Sequence, residues 1–300
     1  MRWWWAAACV VLLTAACSDN DDGGGSQEII LHPPTDVTSL GQPDHPIAGP
    51  QGAVPQFVVE CDFSHTAPDD PIVAPGEPGQ SHLHVFFGNT TTDAHSTIDS
   101  LMEGDTTCDQ SADLAAYWAP ALLRGPEVLR PVGSIAYYRP GIGVDPTTVQ
   151  PYPHGLAMIA GNAGATEPQP LSIVAWGCGT GIERAVEPPQ CGPDRTLRLH
   201  ITFPDCWNGT DIDSPTHKAH VAYSSGGICP EGFPVPIPQL QFAAEYPAGS
   251  TDDVMLSSGG VLTGHADFVN AWQPDRLRTE VELCLHREVV CGIASGRVGG

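Results

Sequence analysis

Glycine and proline set the strongest limit on how this chain folds: there are 33 glycines and 30 prolines among 300 residues. Both residues interrupt helices and favour turns, so long helices are disfavoured. Between the turns, strand-like apolar runs occupy 56–60, 83–87, 132–138, 156–160, 171–176, 196–203, 219–223 and 279–285. Helical patterns are confined to 111–118 and 267–272. The sequence therefore predicts an all-β fold, an antiparallel sandwich or jelly-roll-like domain with long loops.

The first 17 residues, MRWWWAAACVVLLTAAC, combine one arginine, an apolar run and small residues before Cys17. The run is too short to span a bilayer and is typical of an export signal. Its end resembles a lipobox, which predicts a lipid on Cys17; ordinary signal-peptidase cleavage is the alternative. We expect an extracytoplasmic protein, either a cell-surface lipoprotein or secreted, that contacts a membrane only through a lipid anchor.

Composition divides the rest of the chain. Residues 18–54 are acidic and rich in glycine and proline, which predicts a flexible tether. Residues 55–291 are long enough for a single β domain, and 292–300 form a tail.

Eight cysteines follow the signal, and an even number in an exported chain predicts up to four disulfides. They are Cys61, Cys108, Cys178, Cys191, Cys206, Cys229, Cys284 and Cys291. Short separations favour Cys178–Cys191 and Cys284–Cys291, while the other pairings stay open. No CxxC pair is present, which argues against a zinc–thiolate site.

The chain is strongly acidic, with 35 acidic and 12 basic residues. Such a surface repels phosphate backbones, so nucleic acid is not expected as a partner. The oligomeric state is left open by the sequence.

Three segments carry candidate catalytic residues. In the first, His82 and His84 flank Leu83 at the start of an apolar run, so a strand would point both imidazoles to one face. The second is a loop-like stretch at 203–223, and the third begins at 265. Their candidates are Asp205, Asp213, His217, His220, His265 and Asp267.

Imidazoles and carboxylates together suit a divalent metal such as zinc or, through carboxylates, calcium. The candidate ligands are His82, His84, His220 and His265. A metal-bound water would attack a glycosidic or ester bond, whereas a metal-free His–Asp pair would act as a general base. Each segment also has a structural interpretation: a strand histidine pair bonded to carbonyls, an Asx-turn loop, or a buried polar pair.

Aromatic residues suggest a sugar ligand. Trp118, Tyr138 and Trp207 lie beside turns or polar groups, and exposed rings of this kind stack on sugars. Core packing is the alternative for each ring.

Eight ordered blocks give the chain a family resemblance: HLHVFFGN, YWAPAL, YYRPG, GLAMIAG, FPDCWNGTDIDSPTHKAHVAY, CPEGFPVPIPQL, LSSGG and HADFVNAW. Over residues 55–291 it resembles the secreted family called domain of unknown function nineteen-ninety-six. Some fungal members are fused to WSC modules, so the resemblance implies an extracellular, disulfide-bonded domain near glycans. Asn208 and Thr216 stand where the family pattern often has Asp. The resemblance implies no particular activity.

Two functions are consistent with these features. The first is a polysaccharide-active hydrolase or lyase that uses the His/Asp cluster, with or without a metal. The alternative is a non-catalytic surface module that binds glycan or a metal ion.

Overall fold

The computed structural model describes residues 47–48, 54–247, 249 and 251–292. The predicted signal with Cys17, the tether up to 53 and the tail from 293 lie outside the described residues apart from the pair at 47–48. Among the described residues, no helix is long and apolar enough to cross a membrane.

Eighteen short strands make up most of the regular structure in the described residues. They are β1 Ile47–Ala48, β2 Gln56–Cys61, β3 Phe63–Ala67, β4 His84–Gly88, β5 Ala116–Pro120, β6 Leu122–Arg124, β7 Glu127–Leu129, β8 Gly133–Arg139, β9 Ala157–Gly161, β10 Val174–Cys178, β11 Leu197–Thr202, β12 Cys206–Trp207, β13 Val221–Ala222, β14 Val235–Pro236, β15 Gln239–Tyr246, β16 Val254–Leu256, β17 His265–Val269 and β18 Val290–Cys291. The helices are α1 Ile98–Met102 and α2 Pro274–Glu280, and α2 continues into a π-helical turn, Val281–Leu285. Two 3₁₀ turns cover Pro146–Thr148 and Val261–Thr263.

Two large sheets organise these strands. One has seven strands in the order β1-β18-β2-β8-β15-β11-β10, and the other has five in the order β3-β4-β5-β17-β9. Two three-stranded sheets, β13-β12-β14 and β16-β6-β7, complete the described part. The neighbouring strands pair antiparallel except β18 with β2, which run parallel. The predicted all-β antiparallel sandwich is confirmed.

Aromatic side chains join the two large sheets. Tyr117 of β5 stacks on Phe242 of β15 with ring centroids 5.9 Å apart, and Phe87 of β4 meets the same ring at 5.6 Å. The Tyr117 hydroxyl donates to Asp113 Oδ2 at 2.6 Å and also bonds the Tyr138 hydroxyl. Burial raises the pKa of Asp113 to about 8.

Three local predictions were wrong. Residues 279–285 alternate like a strand but form the end of α2 and the π-helical turn, because Leu277, Val281 and Leu285 are buried at helical spacing. The stretch 111–118 instead leads into β5, whose residues are buried on both faces. A strand buried on both faces has no alternation to distinguish it from a helix. The helix pattern at 267–272 instead begins within β17 and continues into the loop that follows it.

Four disulfides staple the domain, as the cysteine count predicted. They are Cys61–Cys108, Cys178–Cys191, Cys206–Cys229 and Cys284–Cys291. Both favoured short-range pairs are present.

The disulfides differ in the length of chain they close, and stability should follow that length. Cys61–Cys108 spans 47 residues, whereas Cys284–Cys291 spans seven. Restricting the unfolded chain gives about 4 kcal/mol for the long loop and about 2 kcal/mol for the short one. Urea unfolding of the two double Cys→Ala variants measures this difference. The prediction is contradicted if removing Cys284–Cys291 lowers the free energy of unfolding more than removing Cys61–Cys108 does.

Candidate metal centre

The outer face of the five-stranded sheet carries polar groups that the chain nevertheless buries. Alternation along β4 and β17 points His84, His265 and Asp267 away from the inter-sheet core. Asp267 pairs in register with Trp118 of β5, which pairs with Phe86 of β4. The loop before β4 and the loop at 208–220 provide the other polar groups of this region. This layer is where His82, His84, His265 and Asp267, four of the predicted site residues, come together.

Three imidazoles converge there. His82, His84 and His265 each offer a ring nitrogen, and the three atoms lie within 4.8 Å of one another. The Nε2 atoms of His82 and His265 are 3.1 Å apart. Ligands of a tetrahedral zinc ion, each about 2.0–2.1 Å from the metal, are separated by about 3.3 Å. The spacing of this nitrogen pair therefore fits a shared ion.

Backbone carbonyls set the tautomers of two of these rings. His84 Nδ1 donates to the Asp69 carbonyl at 2.9 Å, and His265 Nδ1 donates to the Thr263 carbonyl at 2.8 Å. Since a carbonyl only accepts, each Nδ1 carries the hydrogen and each neutral Nε2 keeps a lone pair. His84 Nε2 is buried and has no hydrogen-bond partner among the described residues. Metal-binding histidines are commonly oriented in this way.

Burial keeps the three imidazoles neutral. It lowers the pKa of His82, lowers that of His84 well below the ordinary value, and lowers that of His265 to about 4. The charges of neighbouring imidazoles add to the effect on His84 and His265. Metal ligation needs unprotonated imidazole, so all three are in the binding form at neutral pH.

Two carboxyls form a second group with His84, which belongs to both groups. Asp70, His84 and Asp267 also place one ligand atom each within 4.8 Å of one another. Asp70 Oδ1 accepts the amides of Ile72 and Val73, both at 2.9 Å, which orients the carboxyl. Asp267 is 2% exposed, and its Oδ2 has no partner among the described residues.

The two carboxyls make this spot favourable for a cation. Burial raises the pKa of Asp70, and burial followed by the charge of Asp70 raises the pKa of Asp267 well above the ordinary value. Two neighbouring buried carboxylates repel each other, and a bound cation removes that cost. The donor set of three nitrogens with carboxylate oxygens suits zinc or another first-row transition metal. Calcium, which takes oxygen ligands, suits it less.

Lys218 lies beside this cluster, and we did not predict it from the sequence. Its ammonium donates to the Gly161 carbonyl, and Asp267 lies close enough to raise the pKa of Lys218, which burial lowers more strongly. Gly161 has φ +82°, and a Cβ there would lie 2.8 Å from His265 Cα, so only glycine fits. Lys218 is the only lysine in the chain, and this is the one sequence feature that could have drawn attention to it.

A His–Asp pair lies at the edge of the centre. His217 Nδ1 is 3.0 Å from both carboxylate oxygens of Asp213, and both side chains are partly exposed. The charge of His217 lowers the pKa of Asp70, an effect smaller than the rise due to burial, so the two groups are near each other. With Nδ1 donating to Asp213, Nε2 of a neutral His217 is free to accept a proton.

Two predicted site residues lie outside the group. His220 donates from Nε2 to the Ala157 carbonyl at 2.7 Å, and its Nδ1 accepts from Ser214 Oγ at 3.0 Å. With both nitrogens bonded, this ring holds the loop. Asp205 accepts from the Ser224 amide at 2.8 Å and the Ser224 hydroxyl at 2.6 Å, which fixes a turn.

The three aromatic residues predicted to stack on sugar are buried. Trp118 and Tyr138 are 0% exposed and Trp207 is 2% exposed. Trp118 packs on Phe86, Tyr138 stacks on Phe57, and Trp207 Nε1 donates to the Asp211 carbonyl. Because no ring face reaches solvent, the structure assigns these residues to packing rather than to a sugar-binding surface.

Asp70 was missed because its context resembled an ordinary turn. It follows Asp69 and precedes Pro71, a pattern typical of loops. The side chain does support a turn, and only the tertiary contact with His84 and Asp267 gives it a second role.

Comparisons with known proteins give one finding. Neither the curated proteins nor the solved structures provide a match. The comparison with protein families matches residues 70–272, a span that begins at Asp70 and includes every residue of the cluster. The chain belongs to the family described as "Domain of unknown function (DUF1996)".

Proposed function

We propose that this chain is an exported, lipid-anchored hydrolase that uses a bound transition-metal ion to cleave a glycan. The observation that carries the proposal is a pair of groups that share His84, each with ligand atoms within 4.8 Å of one another: His82, His84 and His265, and Asp70, His84 and Asp267. The export signal and the lipobox-like Cys17 support the location. The resemblance to a secreted family with WSC-fused members supports a glycan as substrate.

The chemistry divides between the cluster and the His–Asp pair. The three histidines and the two aspartates would hold the ion, which supplies Lewis acidity and lowers the pKa of a bound water. His217, oriented by Asp213, would take the proton of the attacking water and return it to the leaving oxygen. The water oxygen bonds to the electrophilic carbon while the glycosidic bond from that carbon to the leaving oxygen breaks.

A lyase is less well supported by these contacts. A tyrosine can serve as the base of a lyase, but Tyr138 is fully buried, and burial followed by the charge of Asp113 raises its pKa well above the ordinary value. Such a phenol is a poor base and cannot reach a polysaccharide.

A closed metal site is the second candidate. His84, His265 and Asp267 are buried, and only His82 and the His217 loop lead toward solvent. A fully ligated, buried ion would stabilise the domain without catalysis, as structural zinc does. The chain would then be a metal-binding surface module.

Metal content tests the centre itself. The purified full chain should retain about one transition-metal ion per molecule after dialysis, measured by elemental mass spectrometry. The His84→Ala/His265→Ala double variant should lose it, because it removes two of the three nitrogens. His95→Ala, which removes an exposed imidazole elsewhere, should keep it. The proposal is contradicted if the wild type retains no metal after dialysis, or if all three proteins retain the same amount.

His217→Ala separates catalysis from metal binding. It should retain the ion yet cleave glycan at least about 100-fold more slowly, because the water loses its general base. His95→Ala should change neither property. The measurement is product release from a glycan panel by mass spectrometry, with metal content determined on the same samples. Bound metal without product from any substrate would favour the closed-site module over the hydrolase.

A further inference from the structure

The outer face of the seven-stranded sheet carries a cluster of positive charge in an otherwise acidic protein. Arg139 ends β8, Arg198 and His200 lie on β11, and Arg184 lies in the loop after β10. The chain has eleven arginines and one lysine against 35 acidic residues. Three arginines around one histidine are therefore a marked local concentration.

His200 is buried without partners. It is 4% exposed, and neither ring nitrogen has a hydrogen-bond partner among the described residues. Its neighbours on the adjacent strands are Ala175 and Ala243, whose small side chains leave space beside the ring. Buried polar nitrogens are nearly always bonded, so an unbonded imidazole indicates a missing ligand.

The nitrogens of two side chains approach the same point. A Cβ placed on Gly177 would lie 2.9 Å from the Glu183 carbonyl oxygen, 3.2 Å from His200 Nε2 and 3.5 Å from Arg184 Nη1. Because residue 177 is glycine, that point is free of protein side-chain atoms. The His200 imidazole and the Arg184 guanidinium therefore lie close to one another beside Gly177.

The arginines are unequally neutralised. Arg198 Nη2 lies 2.7 Å from Glu245 Oε1, so this charge is already paired. Arg184 Nη1 donates to the carbonyls of Gly181 and Glu183, which leaves its charge unpaired. Arg139 is partly buried and has neither an ion pair nor a side-chain hydrogen bond within residues 54–247 and 251–292. Two guanidinium charges therefore remain for a ligand.

The charges of these groups act on one another. Burial, then the charges of Arg184, Arg198 and Arg139, lower the pKa of His200 to about 3. Burial and then the charge of Arg184 lower the pKa of Arg139. Like charges held together in a partly buried site repel each other, and a bound anion relieves that repulsion.

We propose that Arg139, Arg184 and His200 form a binding site for an oxyanion, a carboxylate or sulfate group. Guanidinium groups bind planar and tetrahedral oxyanions through paired hydrogen bonds, and a neutral imidazole adds one N–H donor. The bound oxyanion is either part of an anionic saccharide or a free ion. The site is on the other large sheet from the metal centre and does not rest on the proposed hydrolase.

Binding to the full chain tests this site. Sodium sulfate, sodium acetate and an oligogalacturonate are titrated against a chloride background of constant ionic strength, using calorimetry and thermal unfolding. At least one of the three should bind and raise the melting temperature of the wild type. Saccharide binding without free-ion binding identifies the saccharide as the source, and the reverse identifies the free ion.

Variants locate the binding. Arg139→Gln and Arg184→Gln should each weaken it by about tenfold or more, since each removes one charged donor. Arg287→Gln removes the same charge from an exposed position and should leave binding unchanged. His200→Gln tests the buried donor, with circular dichroism as the check on folding. The proposal is overturned if no anion binds better than chloride, or if Arg287→Gln weakens binding as much as the other arginine variants.

Discussion

The two-residue alternation of the five-stranded sheet is the constraint on which the candidate site depends. Phe87, Tyr117 and Phe268 point inward and form the inter-sheet core with the seven-stranded sheet. The residues between them must point outward, and loops then cover that outer layer. His84 and Asp267 are buried for this reason, although they lie outside the main core. A sheet with one face open to water would leave them solvated and chemically ordinary.

Burying polar groups on both outer faces creates two electrostatic environments of opposite kind. On the five-stranded sheet, three imidazoles form one group and two carboxyls form a second group with the shared His84, which favours a cation. On the seven-stranded sheet, Arg139 and Arg184 face an unpartnered imidazole, which favours an anion. Each arrangement is costly when no ligand is present, because isolated buried polar groups lose their hydration. The sandwich keeps the two clusters apart on different sheets.

Local patterns predicted most of the strands but did not by themselves separate strand from helix. β11 alternates and lies within its predicted range, whereas the stretch leading into β5 was assigned to a helix. The same limit applies to the candidate site. His82, His84, His265 and Asp267 stood out because metal-binding residue types were closely spaced. Asp70 and Lys218 were missed because their importance comes from neighbours distant in sequence, and His220 looked like a ligand although both its nitrogens bond locally.

The amino-acid sequence by itself determined the all-β class, the pairing potential of eight cysteines and the export-signal pattern, because each follows from composition or local spacing. It also marked most of the histidines that matter. Only the tertiary structure decided which of them share a centre, since that depends on strand order and on which loop covers which face. It likewise decided that Trp118 and Tyr138 pack inside rather than face a sugar, because burial is a property of the assembled sheets. The isolation of His200 among arginines is another such outcome, for β8, β10 and β11 become neighbours only through their pairings in the sheet.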